Sequence, residues 1–228
     1  SLADELIEEL DRLAEAAVDD PLSNPILMLA RLVSRRLSDG SLSLSAMEQA
    51  VHYLTAEGCI ARAVGSFDAL GAYVARTSDR GLIDELWPAL VRAAAWVSGV
   101  CDKNRYGLLD YQRASDGGLA NQGWKDSHDS VFHADGRFPD GPIALVEVQA
   151  YASAAFDTMA HFATLRGEAN DAAGYAKRAS SIRQCVEEKY WMEDMDFYGI
   201  ALDGHGDLCR VMASNAGHLL AFGLARKE

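Results

Sequence analysis

The chain has 228 residues, 49% of them apolar, and 21 Lys and Arg set against 34 Asp and Glu leave a net charge of −13. That apolar content is ample for a core, which excludes disorder as the main state, and the length fits one large domain or two small ones. The acidic field repels phosphate backbones and anionic lipid, so neither nucleic acid nor membrane is expected as a partner.

The hydrophobic period is helical along most of the chain. Leu6, Ile7, Leu10, Leu13, Ala14 and Ala17 predict a first amphipathic helix with acids on its other face. Asn24-Pro25 opens a second, running to Leu37, and the Ser45/Glu48 capping box opens a third that reaches about Gly58. Residues 60–77 form a fourth. A fifth over 79–100 carries Leu82, Ile83, Leu86, Leu90, Val91, Ala94 and Val97 on one stripe, and Pro88 is expected to kink or restart it. Trp87, Trp96 and Trp191 are expected in the core. A helix over 142–166 starts at Gly141-Pro142, buries Leu145, Val148, Ala152, Phe156, Met159 and Ala163, and stops at Gly167. Its neighbour over 169–190 follows so closely that the two should be antiparallel.

Near the end, residues 197–202 and 208–211 flank Asp203-Gly-His-Gly and predict a small β-hairpin, followed by a short helix near 213–222 ending at Gly223. Short links between many helices give the fold class: all-α, stacked antiparallel helical hairpins, with an α/α toroid as the natural closed form. No run nears the roughly 18 apolar residues of a membrane span, and the acidic start is unlike a secretory signal. Cys59, Cys101, Cys185 and Cys209 lack any C-x-x-C pair and fit reduced thiols, so a cytoplasmic location is expected.

Between Tyr106 and Gly141 the helical period disappears. This stretch mixes aromatic platforms (Tyr106, Tyr111, Trp124, Phe132), carboxylates (Asp110, Asp116, Asp126, Asp129, Asp135, Asp140) and amides (Gln112, Asn121, Gln122). Sugar binding needs that mixture, because flat rings stack on C–H faces while acids and amides bond hydroxyls. A solvated loop whose acids cap nearby helices explains the same composition. Other constellations say less. Asp102–Gly107 echoes a calcium loop but has Arg113 where a bidentate Glu belongs, and a plain helix-to-loop turn accounts for it. Asp203–Asp207 has turn residues rather than a metal set, and His52 and His161 read as surface or packing residues.

The block NQGWKDSHDSVFHADG, then GPIALVEVQAYA, with LWPALVRAAAWV before and SNAGHLL after, resembles the bacterial amylo-α-1,6-glucosidase family, related to glycogen debranching enzymes and in fold to glucoamylases. The resemblance covers about residues 65–222 and is faint over 1–60, within what is expected to be a single domain over 1–228. It implies an (α/α)6 barrel that hydrolyses α-glucosidic bonds with inversion, on an α-glucan or oligosaccharide, without metal or organic cofactor. It makes Asp126 the general acid. Arg113, Gln122, Trp124, Lys125 and Asp129 would line the sugar pocket, with Glu147 and Gln149 at the helix end beneath it and His218 beside it.

An acid in that role must stay protonated, which desolvation or a like charge achieves. Trp124 would supply an apolar wall, and Asp129 or Glu147 negative charge, while an inward Lys125 would act the other way. Two positions depart from the family: His128 replaces an aromatic, and the segment after Asp68 lacks a threonine-proline. The family's general base falls on a later hairpin, beyond any position here. Three outcomes follow from that gap: missing hairpins complete the barrel, a second chain or homo-oligomer does so, or the protein is a non-catalytic carbohydrate-binding or assembly module. A sugar epimerase or lyase on the same toroid would want histidines paired across the pocket instead.

Overall fold

The computed structural model describes residues 60–113, 120–125 and 127–226. The three helices expected before residue 59, and Asp126 itself, lie outside those residues. The chain divides into two compact units, residues 1–96 and 97–228.

In the first unit, α1 (Ile60–Thr77) buries Phe67, Leu70 and Val74, one stripe at helical spacing. Helix α2 (Arg80–Cys101) opens where Asp79 Oδ1 accepts the Leu82 N–H at 3.1 Å, an N-cap satisfying a donor that the helix itself leaves unpaired. It runs unbroken through Pro88 rather than restarting there. Pro88 and Asp84, one turn before it, are both exposed, so the proline ring sits on the solvent side of the helix. Trp87, Trp96 and, in the second unit, Trp191 are half-buried, not core residues as expected; on the buried stripe of α2 the space belongs to smaller side chains such as Leu86, Leu90 and Ala94.

The second unit is built around α3 (Val146–Arg166), buried on nearly every side over its first half, from Val146 to Ser153. It ends at Gly167 (φ 80°), where the Glu168 N–H reaches back to Ala163 O at 2.9 Å. The chain then reverses into α4 (Ala169–Tyr190), which buries one narrow stripe, Ala179, Ile182, Val186 and Tyr190, against α3. These two helices form the expected antiparallel pair.

Helix α3 begins at Val146 rather than at Pro142. Residues before it are claimed by a sheet: Ile143 bridges Tyr111, and β1 (Ala144–Leu145) pairs with β4 (Ala201–Leu202). β4 also pairs with β5 (Leu208–Cys209), giving the order β1-β4-β5, all antiparallel. The expected hairpin around residues 203–207 is therefore present but shorter than the alternation suggests. Phe197–Tyr198 (β3) belongs to a different hairpin, pairing with Trp191–Met192 (β2). The chain closes with a 3-10 turn, Ser214–Ala216, and α5 (Gly217–Ala221), stopped by Gly223 at φ 69°. Helical hairpins with small strands near the C-terminus make this the fold class expected from the sequence. Among the described residues, no helix is long and apolar enough to cross a membrane.

Candidate functional site

The site is organised by a carboxyl group in the first turn of α3. The Leu145–Ala150 run enters the helix fully buried, and it carries Glu147 inward with none of its surface exposed. Glu147 Oε1 accepts the Asn215 Nδ2–H at 2.7 Å and the Trp124 N–H at 3.3 Å. The loop approaches this closely because position 123 is glycine. A Cβ there would collide with Leu145 Cδ1 and lie 2.5 Å from Glu147 Oε1. Burial pushes the Glu147 carboxyl above its ordinary range; the helix backbone, Asn215, the Trp124 N–H and the charge of Lys125 pull the other way without overcoming it.

Above that carboxyl stands a short aromatic series. Trp124 is 64% exposed, and its ring centre lies 4.9 Å from that of His218, tilted by 56°. His218 Nδ1 is 2.8 Å from the hydroxyl of buried Tyr151 on α3, whose ring meets Phe222 edge-on. Burial lowers the His218 pKa below its ordinary value, which favours the neutral ring. Trp124 thus has a fixed backbone, a packed neighbour and an open face.

The loop beyond Trp124 is drawn into a tight turn by Asn121 and Ser130. Tyr111 donates to Asn121 Oδ1 at 3.0 Å, and Asn121 Nδ2 donates to Ser127 O at 2.5 Å and to Ser130 Oγ at 3.0 Å. Ser130 Oγ is also within bonding distance of the Lys125 and Ser127 carbonyls. Both neighbours of position 126 are therefore anchored. In the sequence Asn121 stands out only as part of a composition, and Asn215 and Tyr151 do not stand out at all. Their signal is an Asn and His three apart in SNAGH and a Tyr one turn after Glu147.

The residues expected at the pocket are only partly brought together. Trp124, Lys125 and Glu147 are neighbours, and the Lys125 ammonium makes no ion pair among the described residues. Gln149 lies one half-turn deeper and fully buried, where its Oε1 accepts from Leu109 N at 2.9 Å and its Nε2 donates to Leu109 O at 2.7 Å and Leu145 O at 2.9 Å. Those bonds join the 108–109 segment to α3. Arg113 and Asp129 are exposed, and Gln122 is half-buried.

A second polar centre lies across β1. Leu145 points toward Gly123, so its neighbour Ala144 points the opposite way. There it lines a cavity of about 190 Å³ with Asn104, Arg105, Tyr106, Asp110 and Asp203. Asp203 Oδ1 accepts the His205 and Asp207 N–H groups at 2.9 and 2.8 Å, and Oδ2 lies 3.2 Å from His133 Nε2. The calcium-like segment is a turn, with Asp102 paired to Arg178 and Asn104 Oδ1 accepting from Tyr106 N. Among the described residues no group of three His, Cys, Asp or Glu side chains is placed to hold a metal.

The fold thus sets an open tryptophan beside a polar loop, over a buried carboxyl, and the family match gives the class: a glycoside hydrolase domain. Residues 66–226 match the mannosylglycerate hydrolase MGH1-like glycoside hydrolase domain, and the chain belongs to that family. The fold is similar to that of the GH78 family rhamnosidase of Bacillus sp. GL1, with a TM-score of 0.57 at 15% identity, over 77% of this chain and 17% of that one. The chain thus spans about a sixth of the rhamnosidase's length. No curated protein matches the sequence. The glycoside hydrolase class read from the sequence is the one matched; the family matched is the MGH1-like one and not the debranching family.

Proposed function

We propose that the chain forms the sugar-holding and acid-bearing part of a glycoside hydrolase. One observation carries the reading: Trp124 is 64% exposed, yet it is held from below by Glu147 and from the side by His218. A large aromatic kept open and oriented is a platform for a sugar ring. Asp126, two residues on, is assigned the proton donor to the glycosidic oxygen, as the resemblance implies, with Lys125 and Gln122 bonding hydroxyls and Arg113 and Asp129 at the rim. Lys125, with no ion pair among the described residues, would be available to a hydroxyl. Inversion needs a second carboxylate roughly 6.5–9.5 Å away to activate water. No residue of 1–228 is assigned that role, so a further segment or a second copy of the chain would supply it.

The substrate reading has two forms. The sequence resemblance favours an α-glucosyl oligosaccharide, and the family's name favours a small mannosyl glycoside such as mannosylglycerate. Incubation with maltose, isomaltose and mannosylglycerate, followed by NMR of the anomer first released, decides between them. Replacing Asp126 by Asn should lower kcat by about 10²–10⁴-fold and remove the alkaline limb of the pH–rate profile. An unchanged profile removes Asp126 from the role. Binding of these sugars with no turnover selects the non-catalytic module.

A further inference from the structure

Among the described residues, two buried polar atoms in the site have no partner, Glu147 Oε2 and Asn215 Oδ1. They belong to side chains already bonded to each other, through Asn215 Nδ2 and Glu147 Oε1 at 2.7 Å. Both orphans are acceptors as drawn, and two acceptors do not satisfy each other. One proton does. A carboxyl can carry it near neutral pH and an amide cannot. We infer that Glu147 is held as the neutral carboxylic acid and donates through Oε2–H to Asn215 Oδ1, closing an acid–amide ring that ties the Trp124 loop to the Ser214–Ala221 segment.

The surroundings agree. Glu147 is wholly buried, and the Gly123 backbone and the Leu145 side chain lie so close to it that no room remains for even a Cβ at position 123. From the loop, Lys125 is the charged side chain whose field reaches it, and it acts against the proton. From α4 comes Tyr190, fully buried and with its phenol pushed well above its ordinary value, so it adds no charge. Glu147 is then a positioning residue. It fixes Trp124 through the backbone and the helix of His218 through Asn215, and a neutral acid supplies no negative charge to hold a proton on Asp126.

The test uses the full chain and needs no sugar, so it stands or falls separately from the glycosidase reading. Infrared difference spectra near neutral pH, wild type against Glu147→Gln, should show one protonated-carboxyl C=O stretch in the wild type that the variant lacks. Absence of that band overturns the inference. The Glu147→Gln variant keeps the ring, because the new amide donates to Asn215 Oδ1 and its oxygen still accepts. Its melting temperature should therefore match the wild type in mild acid and exceed it at alkaline pH, where ionisation of the wild-type carboxyl opposes folding. A variant melting well below the wild type by the same margin at every pH marks Glu147 as a carboxylate. Should Glu147→Gln not fold, Asn215→Ala serves: loss of the acceptor moves the protonated-acid stretch to higher frequency, whereas an ionised Glu147 leaves that region empty in both proteins.

Discussion

The loop over residues 120–131 and the turn over 203–207 each contain glycine, aspartate and histidine, and they flank opposite sides of β1. In the turn, the Asp203 carboxylate is fully engaged. Asp203 takes two backbone N–H groups with one oxygen and faces His133 with the other, and Arg105 donates to the Gly204 carbonyl at 2.7 Å. In the loop, the bonds of Asn121 and Ser130 fix the backbone, while one face of the Trp124 ring stays open and, among the described residues, the Lys125 ammonium and the Asp129 carboxylate make no ion pair. Similar residues thus build architecture in one place and, in the proposed function, a binding face in the other. What separates them is whether the functional groups are consumed by the chain's own backbone.

The largest effect that sharpens this contrast is on the turn. Asp203→Ala leaves two N–H groups without their acceptor and His133 without its partner, at a cost of about 2–4 kcal/mol. Denaturant melts should show that loss, while sugar affinity of the folded protein stays at the wild-type level. Trp124→Ala should do the reverse. Its ring is mostly in solvent, so stability changes by about 0.5 kcal/mol or less, whereas sugar affinity falls by roughly tenfold, about 1.4 kcal/mol of lost stacking. If the turn variant lost sugar binding and the Trp124 variant kept it, the two regions would have exchanged roles.

How much of this is legible in the sequence follows from which interactions are local. The α3–α4 pair is readable because the apolar stripe of 145–163 and the stop at Gly167 are local signals. The start of α3 is not, because Ile143–Leu145 are taken by strand partners at Tyr111 and Ala201–Leu202, distant in sequence. The same holds for β2, whose pairing with Phe197–Tyr198 displaces the longer hairpin expected from alternation. At the site, Trp124 stands out by type and context. Asn215 does not: an asparagine near a short helix reads as a cap, and only the fold shows its amide on a glutamate 68 residues away. Gln149 carries a sugar-contact expectation from resemblance, but its three bonds to backbone are a structural fact that spacing does not encode.

The smallest expected effect lies at the joint between platform and scaffold. Burial holds the folded pKa of His218 below its ordinary 6.5, so the unfolded chain takes up a proton that the folded one refuses. Stability from this group is complete above the unfolded value and declines as pH falls toward the folded one, after which it levels off. In His218→Gln that decline should be absent. The ring is still part-exposed, so the slope is modest and is best read by NMR titration of the imidazole. A sugar laid on Trp124, 4.9 Å away, removes more water from His218 and should depress its pKa further. Titration with and without saturating maltotriose measures that shift. A value unmoved by bound sugar places the ligand elsewhere, and the open tryptophan would then be surface rather than platform.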